Sequence, residues 1–422
     1  MRILMPFLGS RGDVQPGVAL ALELRRRGHD VRLGVPPNLV DFARRAGIDV
    51  LTTGPDSAAL LESELVQHRI KSANPRTRWR GLSELGTFGW TELALTLDDE
   101  AADSDLIVSC FLGQEVARAL ADKHRLAQVA MHYYPIRPSE SVHLLPDPPF
   151  AAESVHHLTW WLADRSWRLM TRRGEDSMRA ELGLGPSRTS VARRMTNTGS
   201  LELQAIDPIL FPQLGDEWGV RRPLVGFLDL APETRAALDD DGDGDGELDA
   251  WLDQGRCIYW GFGSMPVASP EDMVQMVREV SQRLGCRALV AAGWSNFADS
   301  GDDDLRIVRS VDHHRVLPRC VAAVHHGGAG TTAAALRAGI PSLISWFNAD
   351  QPLWGRRLAA LGVGDHRRFR DLSADECVTA LTPLLATATQ DRARKLAGRL
   401  ITPADAVRAA ADAVELQGFA RS

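Results

Sequence analysis

Cysteine is scarce in this chain of 422 residues, and what there is does not pair. The five cysteines (Cys110, Cys257, Cys286, Cys320, Cys377) are odd in number, widely spaced and never in a C-x-x-C arrangement. That excludes a disulfide framework and a zinc knuckle and fits a reducing cytoplasm. Long apolar runs are missing too. Nothing approaches the ~18 uninterrupted apolar residues of a spanning helix, and the opening MRILMPFLGSRGD has no h-region of a signal peptide. A soluble cytoplasmic protein without stable membrane insertion is expected. Nor is there an excess of positive charge: the formal net charge is −7, which argues against nucleic acid or an anionic membrane as partner. Arginine doublets such as Arg193-Arg194 and Arg221-Arg222 read as solvated surface.

What is present is a globular composition, 44% hydrophobic and 24% charged, in a chain too long for one ordinary core. Strand and helix patterns alternate. RILMPF reads as a strand, PGVALALELRRRG as a helix closed by Gly28, VRLGV as a strand, NLVDFARRAG as a helix, and IDVL, LIVSC and QVAM as further strands. The alternation restarts with CIYWGF and runs through PEDMVQMVREVSQRLG, ALVAA, LRIVR, VAAVHH, TTAAALRAG, SLISWF and QPLWGRRLAALG. Such alternation implies two parallel sheets with helices on their faces. The expected domains are 1–228, a linker 229–248, 249–400, and a C-terminal helix 401–422 that could return to the first domain. The linker contains DDDGDGDGE, which resembles the start of a calcium loop at Asp241, Asp243 and Asp245. The twelfth position is Leu252 instead of a bidentate Glu, so a solvated linker is the better account.

In open parallel sheets, ligands gather at the carboxyl ends of the strands. Three turns there are rich in small residues: Gly9-Ser10-Arg11-Gly12-Asp13, Gly261-Phe262-Gly263-Ser264, and Gly327-Gly328-Ala329-Gly330-Thr331 after VAAVHH. None is a G-x-G-x-x-G, and none has the Lys of a P-loop. The stretch VHHGGAGTT admits three readings: a diphosphate cradle at a helix N-terminus, with His326 and Thr331 beside backbone N–H groups; a metal site; or a ligand-free turn. His325 and His326 project to opposite faces of a strand, which disfavours a shared metal ion, and no metal is expected. The aromatic residues His132, Tyr133, Trp160 and Trp161 read either as core or domain-interface packing or as an apolar pocket.

The spacing around that turn carries a resemblance. His326, Thr331, Gly339-Ile340-Pro341 and Asp350-Gln351 follow the donor motif of the family 1 inverting UDP-glycosyltransferases. GSRGDVQP, HHGGAGTT and DQPLWG resemble the bacterial antibiotic and sterol glucosyltransferase branches. The resemblance implies a GT-B fold, α/β, with two Rossmann-like domains facing each other across a cleft. It implies donor-diphosphate contacts from His326, Gly327, Gly328, Gly330 and Thr331, with Ser10 and Ser264 adding hydroxyls. Asp350 and Gln351 would bind the sugar, and Val311 and His313 the base. Asp13 would be the catalytic base, although the same residue could serve only to cap a helix beginning near Pro16. His132, Tyr133, Trp160 and Trp161 would border the acceptor. Ala334 stands where many members carry a Glu that binds the ribose, which leaves UDP-sugar and dTDP-sugar donors both open, and Trp346 stands where the sterol pattern has Pro. No cofactor is implied beyond the donor itself. The expected reaction is inverting transfer of a sugar to a hydroxyl of an apolar small molecule. Two rivals share the scaffold: a nucleotide-sugar epimerase or hydrolase, and a catalytically silent partner protein.

Overall fold

In the computed structural model, residues 1–63, 65, 68, 74–144, 153–238, 245–263, 269–293, 303–347 and 350–419 are described. They belong to two compact units, one comprising residues 1–238 and 401–422, the other residues 239–400.

The first unit is built on β1 (Arg2–Pro6), β2 (Asp30–Val35), β3 (Val50–Thr52), β4 (Leu106–Cys110), β5 (Ala127–His132) and β6 (Leu201–Gln204). The strands are parallel, in the order β3-β2-β1-β4-β5-β6. The second unit holds β7 (Cys257–Gly261), β8 (Arg287–Ala291), β9 (Leu305–Val308), β10 (Cys320–His325), β11 (Ser342–Trp346) and β12 (Gly364–Arg368). Its parallel order is β12-β11-β10-β7-β8-β9. Counted within each unit the two sheets have the same order, 3-2-1-4-5-6, the doubly wound pattern whose chain reverses direction between the first and fourth strands.

Burial explains which strands the sequence reveals. Every residue of β4, β5, β7 and β8 is buried, because helices cover both faces of a parallel sheet. In the second unit Ile258, Trp260, Val290, Val324 and Leu343 pack on one face, while Tyr259, Leu289, Ala323, Ala334 and Ala335 pack on the other. Two strands escape the sequence patterns. β12, GDHRR, is a half-buried edge strand without apolar alternation, and β6, LELQ, is only four residues long.

Helix limits also differ from expectation. The first helix spans Arg11–Arg26 with Pro16 inside it, so it starts five residues before the predicted Pro16. Ser10 is the residue that caps it. The helix that carries Trp160, Trp161 and Trp167 runs from Glu153 to Glu181. Within the stretch read as a solvated linker, Pro232–Leu238 and Asp245–Leu252 are helical. Asp241 and Asp243 of the calcium-like pattern lie outside the described residues.

The C-terminal helix Pro403–Phe419 packs in the first unit. Ala406, Ala410, Ala411 and Val414 are buried, and its outer side is tied by Arg27 to Asp412 at 2.6 Å and Glu415 at 2.8 Å. A Cβ on Gly418 would lie 2.5 Å from Met1 Sδ, so a side chain there would have to displace the end of the Met1 side chain.

Candidate active site

In the first unit the turn after β1 carries Asp13, the third residue of the helix Arg11–Arg26. Its Oδ2 accepts the Ser10 N–H at 2.8 Å and the Ser10 hydroxyl at 2.9 Å. The carboxylate thus reaches back over the helix's own N-terminus, the reciprocal half of a capping box. Burial raises the Asp13 pKa, opposed by the backbone and hydroxyl hydrogen bonds from Ser10. The Ser10 hydroxyl hydrogen is spent on Asp13, so in this state it is not offered to a diphosphate as the sequence predicted. Gly9 makes the arrangement possible: its φ is +108°, and a Cβ there would sit 2.4 Å from Asp13 Oδ2. The Tyr133 hydroxyl donates to the Asp13 backbone carbonyl, and the Cys110 thiol, pushed up to about 12 by burial and the Asp13 charge, lies nearby.

The predicted acceptor residues separate. His132 is fully buried at the end of β5, with Gln204 Nε2 3.2 Å from its Nδ1. Burial, and then the charges of Arg137 and Arg222, hold its pKa well below the ordinary value. It belongs to a buried polar cluster in which Glu202 accepts from Arg137 and from Arg222, the latter at 2.9 Å, and it presents no surface to a ligand. Trp160 is buried and donates to the Val142 carbonyl at 3.1 Å, whereas Trp161 is exposed under the Arg165 guanidinium. Sequence reasoning missed Glu115. It is buried, accepts from Trp167 Nε1 at 2.8 Å, and has its pKa pushed up to about 7 by desolvation. A lone Glu in the first turn of a helix reads as a dipole partner, so its local pattern gave no signal.

In the second unit the glycine-rich turns follow β7 and β10, the first and fourth strands of its sheet. His326 N donates to the Gly261 carbonyl at 3.3 Å. A Cβ on Gly263 would lie 2.7 Å from the His326 ring and one on Gly328 2.5 Å from its Nε2, so the imidazole is clamped between two glycines. Burial lowers its pKa to about 4, which leaves the ring neutral near pH 7. Gly328 caps the helix Ala329–Ala338 without any side-chain cap bond. A helix leaves the N–H groups of its first turn, here Ala329, Gly330 and Thr331, without intrahelical acceptors. Gly330 is exposed, and Thr331 is half-buried at the third helical position.

Gly327 departs from expectation. Its φ is +88°, and its N–H points inward to His325 Nδ1 at 3.2 Å instead of joining the outward-facing amides. Asp350 Oδ2 accepts from Trp354 Nε1 at 2.9 Å, and Gln351 Oε1 accepts from Phe347 N at 2.7 Å. Both side chains therefore brace the start of the helix Gln351–Ala360. His313 Nε2 lies 2.8 Å from the Tyr259 hydroxyl, and Val311 packs beside the same apolar cluster. Ala334 faces that cluster as well. Trp346 lies under Arg368, 5.2 Å from ring centroid to guanidinium. Ser264 lies outside the described residues. The structure thus brings His326, Gly328, Gly330 and Thr331 together at one helix end, and Ser10, Asp13 and Tyr133 together at another.

Residues 3–85 match the glycosyltransferase family 28 N-terminal domain, and residues 291–411 match the erythromycin biosynthesis protein CIII-like C-terminal domain. The uncharacterized glycosyltransferase Rv1524 of Mycobacterium tuberculosis is 40% identical over 98% of both chains. Glycosyltransferase GtfE of Amycolatopsis orientalis is 30% identical over 98% of this chain and 96% of its own. Sterol 3-beta-glucosyltransferase UGT80A2 of Arabidopsis thaliana is also 30% identical, over 86% of this chain and 57% of its own. Among solved structures, the glycotransferase of kitacinnamycin superposes with a TM-score of 0.71 at 18% identity, covering 99% of this chain and 98% of that one. Glycosyltransferase VinC in complex with dTDP gives 0.64 at 19%, covering 99% and 100%. With whole-length relatives of this identity and two Rossmann-like sheets of one order, the chain belongs to the glycosyltransferases, has the GT-B fold, and is a transferase enzyme.

Proposed function

We propose that the enzyme transfers a sugar from a nucleoside diphosphate donor to a hydroxyl of an apolar small molecule, with inversion at the anomeric carbon. The observation that carries this reading is the uncapped N-terminus of the helix Ala329–Ala338 beside a neutral His326. Unspent N–H groups and the positive end of the helix dipole suit a diphosphate, and they favour the charge that grows on it as the glycosidic bond breaks. Neutral His326 supports the leaving diphosphate as a hydrogen-bond donor. Thr331 adds a hydroxyl at the same helix end. Asp350 and Gln351 serve the sugar, and Val311 and His313 the base.

Asp13 is the proposed base. Both Ser10 bonds fall on Oδ2, which leaves Oδ1 to take the proton of the attacking hydroxyl. An ordinary carboxylate near pKa ~3.9 is a weak base for an alcohol, and the upward shift of Asp13 moves it toward the task. For the donor, dTDP is favoured by the VinC structure, which holds dTDP. Ala334 adds that the position where many relatives place a ribose-binding Glu faces apolar packing here. The deciding experiment offers dTDP-glucose and UDP-glucose separately with a panel of apolar hydroxylated acceptors and follows product by mass spectrometry. Transfer by wild type and its loss in Asp13→Asn are expected. Undiminished turnover in Asp13→Asn would overturn the assignment of the base.

A further inference from the structure

We infer that His325 is the positioning residue of the diphosphate turn, acting through Nδ1 as the acceptor that holds the Gly327 amide inward. This rests on the proposed reading of the turn, but its observations are separate. His325 is the last residue of β10 and is fully buried. Its Nδ1 lies 3.2 Å from the Gly327 nitrogen, which can only donate. The ring is therefore unprotonated at Nδ1 and carries its hydrogen on Nε2, and among the described residues Nε2 has no hydrogen-bond partner. A buried donor without an acceptor is costly. If the site required only volume, an apolar side chain would fill it without that cost. What histidine adds is the acceptor at Nδ1.

The bond has a geometric consequence. Gly327 stands at φ +88°, where a Cβ would be 2.6 Å from Ile344 Cγ2 and 3.3 Å from Gln351 Cβ. The backbone therefore turns sharply in contact with β11 and with the helix that Asp350 and Gln351 begin. Fixing the Gly327 N–H inward sets the rotation of the next peptides, which carry the outward N–H groups of the 329–338 helix. His325 and His326 divide the work: the first orients the backbone from inside the sheet, and the second faces the glycine-lined side of the turn, clamped by Gly263 and Gly328. Nδ1 must stay unprotonated for this, in accord with a pKa that burial, then His326 and His313, hold well below the ordinary value.

Three substitutions separate positioning from packing. Asparagine puts an acceptor oxygen near the place of Nδ1, glutamine reaches toward Nε2 and offers nothing at Nδ1, and leucine keeps apolar volume alone. Calorimetry with dTDP and UDP is expected to show His325→Asn within about threefold of wild type and His325→Gln and His325→Leu weakened about tenfold, the worth of one hydrogen bond. Hydrogen-exchange mass spectrometry of the peptide spanning 324–332 is expected to show the Gly327 amide protected in wild type and His325→Asn and exposed in the other two. This second readout needs no nucleotide, so it decides the clamp even if neither nucleotide binds, an outcome that would overturn the diphosphate reading alone. Asparagine exchanging like leucine, or leucine protecting the amide like wild type, would overturn the inference.

Discussion

The two units share one sheet order and each places a helix N-terminus beside the point where that order reverses, after the first strand in one and after the fourth in the other, yet they finish those helices in opposite ways. In the first unit the third helical residue is Asp13, and its carboxylate turns back onto Ser10 N–H. In the second the third helical residue is Thr331, and Gly328 supplies no side-chain cap. One helix end is occupied by its own anion, and the other has no side-chain cap and is the one proposed to take an anion from outside. A doubly wound sheet offers ligand sites wherever its strand order reverses, so the side chains on the following turn decide whether the site is used internally or kept open.

The largest effect that tests this contrast is loss of the internal anion. Asp13→Asn keeps the shape and removes the proposed base, and turnover should fall by roughly 10² to 10⁴ while nucleotide affinity, measured by calorimetry, stays near wild type. In wild type the rate should rise with pH through a value above the ordinary carboxylate range, because burial raises the Asp13 pKa. Second, Thr331→Asp copies the first unit's solution into the second. A carboxylate reaching back over the helix should add about 0.5–1 kcal/mol to thermal stability and abolish detectable nucleoside diphosphate binding. A variant that binds as tightly as wild type would break the comparison.

Third, His326 has a folded pKa of about 4 against an ordinary 6.5. The unfolded chain then binds the proton first, so the stability tied to this ring is whole above pH 6.5 and declines as pH falls to about 4, by at most about 3 kcal/mol. His326→Gln should flatten that part of the stability-versus-pH curve in denaturant titrations, and an unchanged slope would contradict the burial of the ring. The smallest effect concerns Ser10→Ala. It removes the hydroxyl bond that lowers the Asp13 pKa, so the acid limb of the pH–rate profile should move to higher pH with little loss of maximal rate.

Much of this was legible in the sequence because parallel strands buried on both faces are nearly continuous apolar runs. LIVSC, CIYWG and VAAVHH announce themselves, whereas GDHRR at a sheet edge carries no such mark. The helix start at Arg11 was misread because Pro16 usually marks a beginning, and here the capping pair Ser10 and Asp13 lies upstream of it. The candidate diphosphate residues were readable as a spacing, since a turn between strand and helix is local. The aromatic residues around 132 and 160 were not, since their exposure depends on distant partners: Gln204 for His132 and Val142 for Trp160.

The sequence by itself therefore determined the alternation of strands and helices, the division into two α/β halves and the glycine-rich turns, all of which depend on neighbours a few residues apart. Only the tertiary structure decided which charges are buried and which hydrogen bonds are already spent. It pairs Ser10 with Asp13, turns Gly327 toward His325, closes glycines around His326 and sinks His132 into the sheet. Desolvation and hydrogen-bond satisfaction are set by everything that surrounds an atom in space, and most of that surrounding comes from parts of the chain that are far away in sequence.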